Sequence, residues 1–170
     1  MFGNTALIDQ EGLSNESNVS QTGDANWAQT NQFGHGNMSI TEQITYDLAT
    51  ALHPSGYLQG SLVCQVGEFN YANVYQNGDN QASIITQSAD APFDGELFTN
   101  EAWVIQNGEL NLSIIDQSDC DITSPATAAA NNFAEVTQTN TVGSLGGNIS
   151  TLWQTGQNSA VVNQLNGVNN

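Results

Sequence analysis

The sequence predicts an all-β fold: a two-sheet parallel β-solenoid wound in strand-turn-strand coils of about 22 residues. Three observations carry this reading. A unit of eleven residues, N-x-(A/S)-x-x-x-Q-x-G-x-x, recurs along most of the chain. Alternate residues inside the unit are of uniform kind, as alternate side chains on one face of a strand would be. A glycine-bearing stretch of four residues separates successive units, which suits a tight return.

The repeat is clearest in its glutamines. Gln10, Gln21, Gln32 and Gln43 are eleven apart, and the same step runs through Pro54 to Gln65, Gln76 and Gln87. After an interruption the marker returns at Gln106, Gln117, Gln138, Gln154 and Gln164. Two residues beyond the marker stand the turn glycines Gly12, Gly23, Gly34, Gly56, Gly67, Gly78, Gly108 and Gly156. Glycine supplies backbone dihedrals that other residues reach only with strain.

Six residues before each marker lies an amide: Asn4, Asn15, Asn26, Asn37, Asn70, Asn100, Asn111, Asn132, Asn148 and Asn158, with Gln59 and Gln81 standing in. Two further on is a small residue: Ala6, Ser17, Ala28, Ser39, Ser61, Ala72, Ser83, Ala102, Ser113, Ala134, Ser150 or Ala160. Between the small residue and the glutamine sits Ile8, Val19, Thr30, Thr41, Leu52, Val63, Val74, Ile85, Val104, Ile115, Val136, Leu152 or Val162. No acidic and no aromatic residue falls on this face. A lone charge there would be buried without a partner. The face is therefore predicted to point inward, with stacked amides bonding from coil to coil.

This gives thirteen seven-residue segments: 4–10, 15–21, 26–32, 37–43, 48–54, 59–65, 70–76, 81–87, 100–106, 111–117, 132–138, 148–154 and 158–164. Segment 48–54 is degenerate, with Leu48, Thr50 and Pro54 at the marker positions. Strict alternation assigns 4–10, 26–32, 48–54, 70–76, 100–106, 132–138 and 158–164 to a first sheet and the rest to a second. The whole chain, 1–170, reads as one domain. It carries excursions at 88–99 and 118–131 on one edge and a long turn at 139–147 on the other. An odd count predicts a last half-coil completed by the first strand of another subunit.

The faces left outward differ. Met38, Ile40, Leu62, Ile84, Leu112, Ile114, Ile149 and Trp153 are predicted to form an apolar patch on the second sheet. Trp27, Gln29, Tyr71, Asn73, Tyr75, Trp103, Phe133 and Glu135 are predicted on the first, a mixed aromatic face suited to adhesion. The repeat runs from Asn4 to Gln164, which leaves almost nothing to cap it, so its open edges are predicted to recruit further strands.

Composition excludes several functions. The 170 residues include no Lys or Arg and 17 acidic residues, a formal charge of −17. Such a chain offers no basic patch for nucleic acid or an anionic membrane. No apolar run approaches the roughly 18 residues of a membrane span. High charge and abundant Asn, Gln, Ser and Gly would suit a disordered chain, but the ordered repeat overrides that. The chain opens with Met1 without the succession of a cleavable signal. Two readings stay open: a signal already removed, or a chain not secreted.

Catalysis has little support. His35 and His53 are the only histidines, and both read as solvated surface. Cys64 and Cys120 with them match no zinc spacing. The acidic stretches with Asp90, Asp94, Glu96, Asp119 and Asp121 lack the glycine-and-aspartate patterns of calcium loops. No enzyme activity, metal or cofactor is expected. A Cys64–Cys120 disulfide is expected if residues 118–131 fold back over the sheet.

The pattern resembles a known repeat. S-x5-Q-x-G-x-x-N-x-A-x-x-x-Q is the repeat of curli subunits, bacterial biofilm amyloids. Residues 70–87, NYANVYQNGDNQASIITQ, and 100–117, NEAWVIQNGELNLSIIDQ, are similar to it. The resemblance implies a curli-like fold stacking into an amyloid fibre, secretion as an unfolded chain, and assembly outside the cell. The partners it implies are copies of the same chain joined head to tail, other curli-like subunits, or a nucleator. The alternative is a monomeric acidic β-solenoid, an adhesin or an ice- or calcium-binding surface domain.

Overall fold

The computed structural model describes residues 3–23, 25–44, 59–68, 70–79, 81–89, 100–118, 132–140, 147–154 and 158–165. Among them are twelve strands: β1 (Thr5–Leu13), β2 (Glu16–Thr22), β3 (Asn26–His35), β4 (Met38–Ile44), β5 (Gln59–Glu68), β6 (Tyr71–Asp79), β7 (Ala82–Ala89), β8 (Glu101–Glu109), β9 (Leu112–Ser118), β10 (Phe133–Thr139), β11 (Ile149–Gln154) and β12 (Ser159–Leu165). The odd-numbered strands form one six-stranded sheet, in the order β1-β3-β5-β7-β9-β11. The even-numbered strands form the other, β2-β4-β6-β8-β10-β12. Each neighbouring pair is parallel. The protein is an all-β parallel solenoid, each coil being one odd and one even strand.

Register follows the repeat without slippage. In the odd sheet Ala6, Ala28, Ser61, Ser83, Ser113 and Ser150 are successive partners. In the even sheet the column is Ser17, Ser39, Ala72, Ala102, Ala134 and Ala160. A slip of one residue would turn the whole inward set outward, so burial of that face holds the register.

The core is thin and laid out by size. Val63, Ala72, Val74, Ile85, Ala102, Val104, Ile115, Ala134 and Val136 form one buried apolar cluster, with Leu152 and Val162 packed against it. Chain direction reverses between the two strands of a coil. Counting outward from the turn then sets Val63 opposite Ala72, and Ser61 opposite Val74. A large residue meets a small one each time, which lets two sheets close over a single layer of interdigitated side chains. The second coil differs, because Thr30 and Thr41 occupy the large positions and are buried there. In the first coil Ile8 is 44% exposed, since a coil neighbours it on one side only.

The strand assignment departs from strict alternation at one place. Segment 26–32 pairs directly with 59–65, and 37–43 with 70–76. Segment 48–54, including Leu52 and Pro54, lies outside the described residues, and the first sheet has no place for it between β3 and β5. It lacks an amide at both marker ends, so it has neither of the side chains that lock a strand into its column. Every later segment is therefore in the opposite sheet from the one expected. The described strands number twelve rather than thirteen, and the last coil, β11 with β12, is complete.

The edges shift accordingly. The excursions after β7 and β9 interrupt turns from the odd to the even sheet, not the reverse. The long turn after β10 leads from even to odd, as does the stretch between β4 and β5. Strands β7 and β9 extend into the expected excursions, through Ala89 and Ser118.

The regular turn needs two positive backbone angles. Gly12, Gly23, Gly34, Gly78 and Gly108 have φ of 116, 96, 117, 133 and 94°. A β-carbon on Gly78 would stand 1.9 Å from the Gly108 carbonyl oxygen of the next coil. Gly67 continues this stack as the register partner of Gly34, whereas Gly56 and Gly156 lie outside the described residues. The second positive angle falls just before the asparagine: Ser14, Ala25, Gly36 and Leu110 have φ of 58, 59, 65 and 58°. Non-glycine residues there hold a left-handed conformation at roughly 1–2 kcal/mol each.

Two outcomes follow from this packing. Val74→Asp and Ile115→Asp each put an unpaired charge at a site with 0% exposure, so both variants should lose the far-ultraviolet dichroism of the solenoid. A native spectrum in both would contradict the inward placement. Gly78→Ala should lower unfolding free energy by more than about 1 kcal/mol in denaturant melts. Gly60→Ala, where a β-carbon would meet nothing within 4 Å, should be neutral or stabilising by up to about 1 kcal/mol.

Candidate functional site

The candidate site is the stack of amides that lines both edges of the core, together with the strands that end it. The odd-sheet glutamines form one ladder. Gln10 Nε2 donates to Gln32 Oε1. Gln32 donates to Gln65 at 2.8 Å, Gln65 to Gln87 at 2.9 Å, Gln87 to Gln117 at 2.9 Å and Gln117 to Gln154 at 3.0 Å. The even-sheet ladder runs Gln21, Gln43, Gln76, Gln106, Gln138 and Gln164, with bonds of 2.7–2.9 Å. In both, each glutamine donates toward the C-terminal coil.

The same Nε2 uses its second hydrogen across the core. Gln32 donates to the Glu16 carbonyl at 2.9 Å, Gln65 to Met38 at 3.0 Å and Gln106 to Ala82 at 2.9 Å. These acceptors are first residues of strands in the facing sheet. One amide therefore ties a coil to its neighbour and the two sheets to each other. An unmade bond on such a buried amide would cost about 1–3 kcal/mol.

The asparagines point the other way. Asn37, Asn70 and Asn132 donate through Nδ2 to Asn15, Asn37 and Asn100 Oδ1 of the preceding coil, at 3.3, 3.0 and 3.3 Å. Backbone N–H groups of Asn26, Asn37, Asn70 and Asn158 donate to Asn4, Asn15, Asn37 and Asn132 Oδ1 at 3.0–3.2 Å. In the odd sheet Asn148 donates to Asn111 Oδ1 at 3.1 Å. Gln59 and Gln81, one methylene longer, reach past this position to the Gly78 and Gly108 carbonyls.

A third contact closes the turn. Asn15, Asn26, Asn37, Asn70 and Asn111 donate to Glu11, Thr22, Phe33, Val66 and Asn107 carbonyls, each one residue after a marker glutamine. The contact survives the interruptions. Gln59 donates to Ile44 at 2.9 Å, Asn100 to Ser88 at 3.0 Å and Asn148 to Thr139 at 3.1 Å. Inserted chain leaves and re-enters the coil through the same hydrogen-bonded mouth.

The inward positions are buried wherever coils lie on both sides, from Asn26 to Gln138. Those of the first coil and of β12 are half-buried or exposed. One buried amide escaped the sequence reading. Asn140 holds the turn position taken elsewhere by glycine, and its Nδ2 donates to the Glu109 carbonyl at 2.9 Å. Its place two residues after Gln138 was the available signal.

The outer faces are sorted differently from the expectation, because the skipped segment exchanged the sheets. Leu62, Ile84, Leu112, Ile114, Ile149 and Trp153 share the odd sheet, joined there by Trp27 and Gln29. Met38 and Ile40 lie instead on the even sheet with Tyr71, Asn73, Tyr75, Trp103, Phe133 and Glu135. Cys64 is a free, half-buried thiol on the odd sheet, and burial pushes its pKa up. Its expected partner Cys120 lies outside the described residues, as do His53 and the acidic residues Asp90, Asp94, Glu96, Asp119 and Asp121. His35 is exposed at the end of β3. Among the described residues no group of three or more His, Cys, Asp or Glu could hold a metal ion.

Sheet order leaves β1 and β2 as open edges at one end and β11 and β12 at the other. The edge pair β1 and β2 coincides with what comparison recognises. Residues 2–23 match the family model of the curlin associated repeat. No curated protein and no solved structure matches the chain. The later coils stack on the matched one in the same register, amide on amide, and the match supports a curlin-repeat assignment.

Proposed function

We propose that the protein is the structural subunit of an extracellular curli-like amyloid fibre, without catalytic activity, secreted and polymerised head to tail. One observation carries the reading: the solenoid ends in a complete coil on both sides. An odd strand followed by an even one begins the stack, and the same pair finishes it. A second subunit can then continue both sheets without sharing a half-coil, which replaces the completion expected from an odd strand count.

The repeating hydrogen bonds state what such a junction would contain. Leu112 N–H donates to the Asn148 carbonyl, and Phe133 N–H to the Asn158 carbonyl, both at 2.8 Å. One coil further, Ile149 and Ser159 N–H would donate to the Asn4 and Asn15 carbonyls of the next subunit. Gln154 and Gln164 would extend their ladders to its Gln10 and Gln21. Other curli-like subunits with the same coil could add to the same edges. Unpaired parallel edges of this kind recruit strands unless blocked. The exposed faces between them would serve adhesion in a biofilm matrix.

Val161→Pro tests the junction. By the alternation of the ladder, the Val161 N–H faces away from β10, so proline removes a donor needed only by an added strand. The variant should keep its β dichroism and lose seeded elongation at the β12 end, followed by atomic force microscopy on immobilised seeds. Elongation at the normal rate from both ends would overturn head-to-tail growth and direct attention to lateral contacts.

A further inference from the structure

The outer face of the even sheet repeats one pairing, an aromatic ring beside a carboxylate. Tyr71 and Phe133 are the in-register neighbours of Glu101, on either side of it. Trp103 is the neighbour of Glu135, and Tyr75 the neighbour of Glu42. In-register neighbours in a sheet stand about 4.8 Å apart. Four aromatic rings thus each have a carboxylate beside them, over four adjacent strands.

The rings are arranged for contact rather than buried. Tyr71 and Trp103 lie with centroids 5.4 Å apart and planes tilted by 41°. Trp103 Nε1 donates to Glu101 Oε1, holding that carboxylate against the indole. Asn73 Nδ2 donates to the Tyr71 hydroxyl at 3.3 Å, fixing the neighbouring ring. Tyr71, Tyr75, Trp103 and Phe133 are all half-buried, each with part of its surface in solvent.

A ring face attracts a cation through its quadrupole, and an adjacent carboxylate adds a direct charge. The chain cannot supply that cation, since it contains no Lys and no Arg. Another copy of the chain cannot supply it either. We propose that this face binds a cationic polypeptide, an extended Lys- or Arg-rich segment of a different protein. A single metal ion would use the carboxylates and leave the rings idle. The pairs instead span about 15 Å across four strands, a length that several cationic side chains of one extended segment can follow. Arginine fits best, because its planar guanidinium stacks on a ring while its fork meets a carboxylate.

The odd sheet provides the contrast. Its central column is Leu62, Ile84 and Ile114, and its ring–carboxylate pairs, Glu11 with Phe33 and Asp116 with Trp153, stand apart at opposite ends of the sheet. Asp9, beside Asn31 at the edge of the odd sheet, and Glu16, beside Met38 at the edge of the even sheet, lie on the exposed first coil. They carry the same charge with no ring as in-register neighbour.

The test separates this site from diffuse attraction to a polyanion. The full chain, kept unassembled, is titrated at about 0.15 M salt with a labelled peptide of alternating Arg and Ser, followed by fluorescence anisotropy. Binding should weaken about ten-fold in the Glu101→Gln/Glu135→Gln variant and about five-fold in Trp103→Leu, which changes no charge. The Asp9→Asn/Glu16→Gln variant removes the same two charges elsewhere and should change binding by less than about two-fold. All positions are on outer faces, and unchanged β dichroism verifies the fold. Equal weakening by the two charge-removing variants, no effect of Trp103→Leu, or no binding of the peptide would overturn the proposal. Because unassembled protein is used, these outcomes do not depend on fibre growth.

Discussion

A primary amide carries two N–H donors and an accepting oxygen, and this solenoid depends on pairing both donors of its ladder glutamines in a core one side-chain layer deep. Gln32, Gln65 and Gln87 do so by bonding once along the axis and once across to the facing strand. The solution works only if every coil repeats the amide at the same place. Register, sheet separation and turn length are thus set together. Apolar burial alone would not be so strict, because Val, Ile and Leu tolerate one another's places. The alternation of Ala or Ser against Val or Ile provides close packing, and the amides provide its alignment.

The same contacts explain why interruptions do little damage. Successive partners in the odd sheet are Gln10, Gln32, Gln65, Gln87, Gln117 and Gln154, at unequal distances in sequence. The columns nevertheless stay in line. The mouths of the insertions before Gln59, Asn100 and Asn148 are closed by side-chain bonds of the kind found in the shortest turns. Loop closure grows only slowly more costly with length, so a longer connection places a small load on a coil already held at both edges.

Much of this was legible in the sequence because the markers are chemically distinct. Strand face, turn glycines and the inward run from Asn70 to Gln76 can be read from residue type and spacing. Sheet membership was not, since it is a running count. One degenerate segment, with Leu48 and Pro54 where amides belong, reverses every later assignment when it is skipped. The apolar patch and the aromatic face were misassembled for that reason alone. The second strained turn position left no readable trace, because Ser14, Ala25, Gly36 and Leu110 have nothing in common but their backbone angle. There the fold imposes a conformation on whichever side chain is present. The binding face was visible as a list of aromatics, but its carboxylate neighbours emerged only when β6, β8 and β10 came side by side.

The opposed directions of the glutamine and asparagine ladders have an electrical consequence. An amide is a dipole, and a column of them aligned head to tail would build a field growing with every coil, as peptide dipoles do along a helix. Here the glutamine columns point their N–H groups toward the C-terminal end, while Asn37, Asn70, Asn132 and Asn148 point theirs back. The two sets oppose each other. With the small net dipole of the sheets themselves, the axial field of the glutamine columns is offset in part. The field at the end of a long stack then grows less steeply with length than fully aligned columns would make it.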